Sequence, residues 1–176
     1  MDGPPAQSLG VEPVSPHIMS LPPRPRHARI LTRPVLTRIA FSSSLIFAGT
    51  FFTYLREMSD GIVTARDTTM TFTCFVIFDM FNALACRSDT KSYLMGEMNL
   101  TGNKMFNWSV MGSLLGQMAV VYWGPLQKVF MTEALGWRDL VWLVGVGSAV
   151  WWVDEARKIM RRRKEGWRQH GYSSSV

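Results

Sequence analysis

The sequence predicts an all-α membrane protein whose four transmembrane helices pack as an antiparallel bundle. Three observations carry that reading. The apolar residues, 47% of the 176 residues, gather into four long blocks instead of short periodic stretches. Most of the charge lies between and beyond those blocks, so the mean hydropathy of +0.05 averages two very different kinds of sequence. The basic residues also alternate in abundance from one connection to the next, as they do when a chain weaves through a bilayer.

Residues 1–35 hold eight of the nine prolines and little apolar periodicity. A string such as Pro22-Pro23-Arg24-Pro25-Arg26 cannot hold a helix, because each proline lacks an N–H and restricts its predecessor. This is read as an extended, mostly irregular cytosolic segment. It contains no apolar core behind a basic start, so no secretory signal is predicted.

The first apolar block, 39–55, is bracketed by Arg38 and Arg56 and carries Ser42, Ser43, Ser44 and Thr50. At 17 residues it is at the short end for a hydrocarbon core of about 30 Å. The second, 68–86, reads TTMTFTCFVIFDMFNALAC and is closed by Arg87; Asp79 and Asn82 interrupt it. The third, 105–126, contains Gly112-Ser-Leu-Leu-Gly116 and Gln117, with Tyr122 and Trp123 near its end. The fourth, 137–153, opens at Trp137, Arg138 and Asp139 and closes at Trp151 and Trp152. Aromatic residues near block ends fit anchoring at a membrane interface. The connections 57–67, 87–104 and 127–136 are short, which implies antiparallel neighbours. The expected organisation is 1–35 irregular, 36–156 membrane domain and 157–176 a basic tail.

Charge sets the orientation. Arg24, Arg26, Arg29, Arg33 and Arg38 precede the first block; Arg87, Lys91 and Lys104 fall in the middle connection; Arg157, Lys158, Arg161, Arg162, Arg163, Lys164 and Arg168 form the tail. These fifteen would share one side, against Arg56, Arg66, Lys128 and Arg138 on the other. Both termini are therefore placed in the cytosol, and an even number of spans requires the same. The net charge of +6 flanks apolar blocks instead of interleaving through a polar face, which argues against nucleic acid as a partner. The tail cluster suits anionic lipid headgroups, at about 1 kcal/mol per basic residue near the surface.

Asp79 carries the most information of any single residue. A carboxylate at mid-depth in a membrane helix costs on the order of 3 kcal/mol by insertion scales, so it should face a partner or a polar cavity. Asn82, three residues on, shares its side of the helix. A cation- or proton-handling site and a polar clamp to a neighbouring helix both satisfy that requirement. Gly112 with Gly116, and Gly145 with Ala149, have the small-xxx-small spacing that lets helix backbones approach closely, with a partner inside or outside the chain. Cys74 and Cys86 lie about 18 Å apart along a helix, too far for a disulfide, and read as two buried thiols. His17, His27 and His170 form no cluster. The sequence contains no Ser/His/Asp arrangement, phosphate loop or HExxH motif to support soluble-type catalysis.

Three strings resemble a known family. Met1-Asp-Gly-Pro-Pro-Ala-Gln-Ser-Leu-Gly-Val-Glu-Pro13 resembles the end of the sixth membrane helix and the following loop of the secretory-pathway (Golgi-type) Ca2+/Mn2+-transporting P-type ATPases. Thr64-Ala-Arg-Asp-Thr-Thr-Met-Thr-Phe-Thr-Cys74 and Phe78-Asp-Met-Phe-Asn-Ala-Leu-Ala-Cys86 agree with the same family, in the same order. The resemblance implies that the four spans match helices seven to ten of a ten-helix pump that moves cations from the cytosol into the Golgi lumen. It implies that Asp2 matches the sixth-helix carboxylate that coordinates the transported ion, Ca2+ or Mn2+. Asp79 aligns with an eighth-helix acidic position that serves a second Ca2+ site in the sarcoplasmic-reticulum relatives, whereas the Golgi-type pumps carry one ion. ATP and Mg2+ belong to the phosphorylation, nucleotide-binding and actuator domains of the full-length family, for which this sequence carries no motif. The chain by itself is expected to hold no cofactor and to be a fragment unable to pump alone, with the bilayer and the rest of the pump as partners. The alternatives are a free-standing membrane adaptor that binds other channels or pumps, and a small transporter built around Asp79.

Overall fold

A computed structural model of the chain describes residues 3–12, 31–58, 61–87 and 102–173, with side chains to position 161. The described residues form helices and no strand: α1 (Gly3–Leu9), α2 (Arg33–Glu57), α3 (Ala65–Cys86), α4 (Lys104–Tyr122), α5 (Gly124–Phe130), α6 (Trp137–Gly147) and α7 (Ala149–Ser173).

Two helices depart from the expectation that 1–35 is irregular. α1 holds Pro4 and Pro5 in its first turn, and α2 starts at Arg33 with Pro34 likewise placed. Proline is harmless there because first-turn N–H groups have no intrahelical acceptor. Starts and stops elsewhere follow local chemistry. α3 begins with a capping box in which the Thr64 hydroxyl accepts the Asp67 N–H and the Asp67 carboxylate accepts the Thr64 N–H. Asn103 caps α4 by accepting the Phe106 N–H at 2.9 Å.

The third predicted span, 105–126, is divided. α4 stops at Tyr122 and a separate short helix, α5, carries Pro125 in its first turn. Proline cannot donate to the carbonyl one turn back. The Val121 carbonyl instead accepts from Gln127 Nε2 at 2.6 Å, and the Val120 carbonyl from Thr132 Oγ1 at 2.6 Å. The fourth, 137–153, is interrupted at Ser148, whose hydroxyl donates to the Gly145 carbonyl. The backbone ladder continues through it, from Ser148 N–H to Val144 and from Trp152 N–H to Ser148. The result is one path with an interruption, as side-chain bonds to helix carbonyls tend to produce.

α3 is the hub, packing against α2, α6, α7 and α4. Its Met70, Cys74, Ile77 and Phe78 form the core with Val121, Leu135, Leu143 and Val150. Contacts at the helix ends establish alternating directions. At one end the start of α2 meets the last turn of α3 and the second turn of α7, through Arg38 to the Ala85 carbonyl and to Asp154. At the other, Arg66 near the start of α3 meets Glu57 at the end of α2 and Asp139 at the start of α6.

α2 and α3 are each long and apolar enough to cross a membrane, by length and composition. The other two predicted crossings do not reach that standard as single helices. α4 is diluted by Lys104, Asn107 and Gln117, and α6 has only 11 residues before the interruption. The outer faces are nonetheless strongly apolar. α2 exposes Phe41, Phe47, Phe51 and Phe52, and α4 exposes Trp108, Met111 and Leu115. Aqueous monomers rarely expose such continuous patches.

Candidate functional site

The hydroxyl-rich sequence of α2 and α3 is accommodated by bonds to the carbonyl four residues back: Thr37 to Arg33, Ser44 to Ala40, Thr53 to Gly49, Thr69 to Ala65 and Thr71 to Asp67. Such bonds satisfy a hydroxyl without a neighbouring helix. Others link helices. Thr53 Oγ1 lies 3.3 Å from Cys74 Sγ between α2 and α3, and Gln117 Nε2 donates to Thr73 Oγ1 at 3.0 Å between α4 and α3. Thr69 Oγ1 accepts the Glu133 N–H at 3.0 Å, tying the connection after α5 to α3. Thr53, Thr73, Cys74 and Gln117 are all fully buried, and Gln117 Oε1 has no partner among the described residues.

Asp79 is half-buried on α3, flanked by the buried Phe78 and Met80. At about 100° per residue it lies well round the helix from the face on which Cys74 and Phe78 meet α2. Asn82 is half-buried too. Of the two thiols expected to be buried, Cys74 is, whereas Cys86, in the last turn of α3, is exposed. Asp2, the ligand that the resemblance supplies, lies outside the described residues. Among the described residues no three His, Cys, Asp or Glu side chains gather to hold a metal ion.

The small residues divide differently from the motif. A Cβ added at Gly112, Gly116 or Gly145 would meet no atom within 4 Å, so these positions pack against nothing among the described residues. Ala149 is half-buried at the start of α7. Of the two kinds of partner that the small-xxx-small spacing allows, inside or outside the chain, the described residues of this chain supply none at Gly112, Gly116 or Gly145. The close approaches occur instead at Gly49, where a Cβ would stand 2.3 Å from Phe78 Cζ, and at Gly147, 2.5 Å from Ile77 Cγ2. Neither glycine has a glycine or alanine four residues away, the spacing that the motif reading used.

Two ion clusters occupy one end of the bundle. In the first, Arg38 lies 3.6 Å from Asp154 and donates to the Ala85 carbonyl at 2.8 Å. Asp154 also pairs with Arg157 at 2.7 Å and Lys158 at 3.0 Å, and Lys158 pairs with the buried Glu155. In the second, Arg87, whose side chain has no exposed surface, donates to both carboxylate oxygens of Glu12, at 2.7 and 3.2 Å. Asn103 Nδ2 donates to Glu12 Oε2 at 2.8 Å and to the Ser8 carbonyl at 2.9 Å. Arg38, Arg87, Lys104 and Arg157 thus share the end that the sequence counts as cytosolic, and Arg56, Arg66 and Arg138 share the opposite end. Sequence reasoning used Arg87 only as a boundary charge and missed Glu12 and Asn103. The available signal was that Glu12 is the one charged residue between Asp2 and Arg24.

Comparison with known sequences identifies the family. The family described as "Cation transporting ATPase, C-terminus" matches residues 1–160. The chain is 56% identical over 164 residues to Calcium-transporting ATPase 1 of Schizosaccharomyces pombe, covering 93% of this chain and 18% of that protein. It is 54% identical over 165 residues to Calcium-transporting ATPase 1 of Saccharomyces cerevisiae, covering 93% and 17%. It is 51% identical over 175 residues to human Calcium-transporting ATPase type 2C member 1, covering 99% and 19%. The chain therefore spans less than a fifth of the length of these relatives. With helices, charged ends and sequence in agreement, the chain belongs to the cation-transporting ATPase C-terminal family, a membrane region of P-type ATPases.

Proposed function

We propose that this chain is the C-terminal transmembrane part of a P-type pump that moves Ca2+, and Mn2+ with it, from the cytosol into the secretory lumen. The observation that carries the reading is near-full-length similarity to calcium-transporting ATPases. In this reading the chain crosses the bilayer four times, with α4 as the third crossing and α6 with the start of α7 as the fourth, and with both termini cytosolic. The segregation of basic side chains between the bundle ends supports that topology. Asp2 supplies a hard carboxylate ligand of the kind that Ca2+ and Mn2+ take. Asp79 serves either as a polar clamp to the rest of the pump or near the ion path. ATP, Mg2+ and the phosphorylated aspartate belong to parts of the pump outside these residues, so the chain alone does not pump. The open Gly112/Gly116 face of α4 is where the rest of the pump, or another membrane protein in the adaptor reading, would lie. The basic residues from Arg157 onward sit at anionic headgroups.

The test is a chimera in which this chain replaces the matching segment of the S. cerevisiae relative. Membrane vesicles should show ATP-dependent Ca2+ uptake that Mn2+ competes for, abolished by Asp2→Asn. Uptake that is absent, or unaffected by Asp2→Asn, overturns the proposal. Asp79→Asn separates the two roles of that residue: unchanged uptake removes it from the ion path.

A further inference from the structure

The second ion cluster does more than neutralise charge. Arg87 closes α3, Glu12 follows α1 by three residues, and Asn103 caps α4. One knot therefore fixes three elements. A guanidinium fork on both oxygens of a carboxylate sets rotation as well as distance, which a lysine cannot do. The same Asn103 side chain holds the Ser8 carbonyl in the last turns of α1 while its Oδ1 caps α4, so α1 is registered against α4 through a single amide. The Phe106 ring closes the knot on one side, its centroid 5.1 Å from the Arg87 guanidinium carbon. Burial strengthens these bonds and makes loss of any one costly. The Arg38–Asp154 cluster at the same end ties α2, α3 and α7, so it is a built-in comparison.

We infer that Glu12, Arg87 and Asn103 form a positioning clamp for α1. Asp2 directly precedes that helix in sequence. The clamp sets how the helix lies against α3 and α4, and with it the affinity for the transported cation. None of the three residues touches the ion. The inference rests on the proposal that Asp2 is an ion ligand, and the same chimera separates the two.

In the chimera, Arg87→Lys and Glu12→Gln should each raise the Ca2+ concentration for half-maximal uptake about tenfold, equivalent to about 1.4 kcal/mol. The maximal rate per pump should stay within about twofold, the signature of altered binding and not of altered turnover. The double variant Glu12→Gln/Arg87→Gln, which removes both charges of the pair and keeps groups able to hydrogen-bond, should recover part of the affinity. Arg38→Lys, in the other cluster, should leave the half-maximal concentration unchanged. A merely structural role would lower the amount of pump in the membrane without shifting that concentration. Unchanged affinity in Arg87→Lys, or an equal shift in Arg38→Lys, overturns the clamp while leaving the transport proposal intact. An unmodified chimera that takes up no Ca2+ overturns the transport proposal and the clamp with it.

Discussion

Replacing Gly49 with alanine should separate α2 from α3, the two helices long and apolar enough to cross a membrane. The added Cβ would stand 2.3 Å from Phe78 Cζ and 2.6 Å from Cε2, about 1 Å inside ordinary van der Waals contact, which begins near 3.4 Å. Phe78 is 1% exposed and belongs to the core, so its ring has nowhere to swing. The helices must part or tilt, which strains the adjoining Thr53–Cys74 contact at 3.3 Å. Overpacking of this kind costs about 1–3 kcal/mol. The measurement is an SDS titration of the full chain in mild detergent, read by circular dichroism. A second readout is oxidative cross-linking between a Thr53→Cys substitution and Cys74 in a Cys86→Ser background. Gly49→Ala should lower the SDS midpoint and slow the cross-link. Gly112→Ala, facing open space, should shift stability by no more than about 1 kcal/mol, towards greater stability because alanine is the better helix former. A neutral Gly49→Ala with a destabilising Gly112→Ala would refute the packing argument.

Further outcomes follow from the same geometry. Arg38→Gln should cost about 1–3 kcal/mol in the same titration, because the Ala85 carbonyl loses its side-chain donor while Asp154 keeps Arg157 and Lys158. Gln117→Leu should be tolerated within about 1 kcal/mol, since it removes a buried oxygen without a partner along with one hydrogen bond. Gln117→Ala, which leaves a cavity, should cost about 2 kcal/mol or more. Asp139→Asn should matter little, less than about 1 kcal/mol and less still at high salt, because the Arg66 side chain it pairs with is 44% exposed.

The apolar blocks made the helices legible, and the distribution of Arg and Lys made their alternation legible, because both are bulk properties of a segment. Interruptions were harder to see. Pro125 announces a break, yet the block carrying it is apolar on both sides, so hydropathy ran the third span through it. Ser148 is one polar residue among many, and only its bond to the Gly145 carbonyl marks it. The close approaches between helices of this chain were hard to see for a similar reason. A GxxxG spacing states that a helix has a notch, not what fills it, whereas Gly49 matters because Phe78 lies opposite, a fact of tertiary pairing. The Glu12–Arg87–Asn103 knot joins residues up to 91 apart in sequence, beyond any local pattern. The family resemblance foresaw membership correctly, while its ligand Asp2 remains an assignment from the resemblance.

Four crossings with both ends on the cytosolic side are the claim from which the bundle, the orientation of Asp2 and the clamp all follow. Glycosylation mapping tests it most directly, with an acceptor site carried on an added glycine-serine linker inserted at 59–63, 88–101, 133–136 or after 173 in turn, and expression in a eukaryotic host. The account predicts modification at 59–63 and 133–136 and none at 88–101 or in the tail. Modification of the tail or of 88–101 would contradict it.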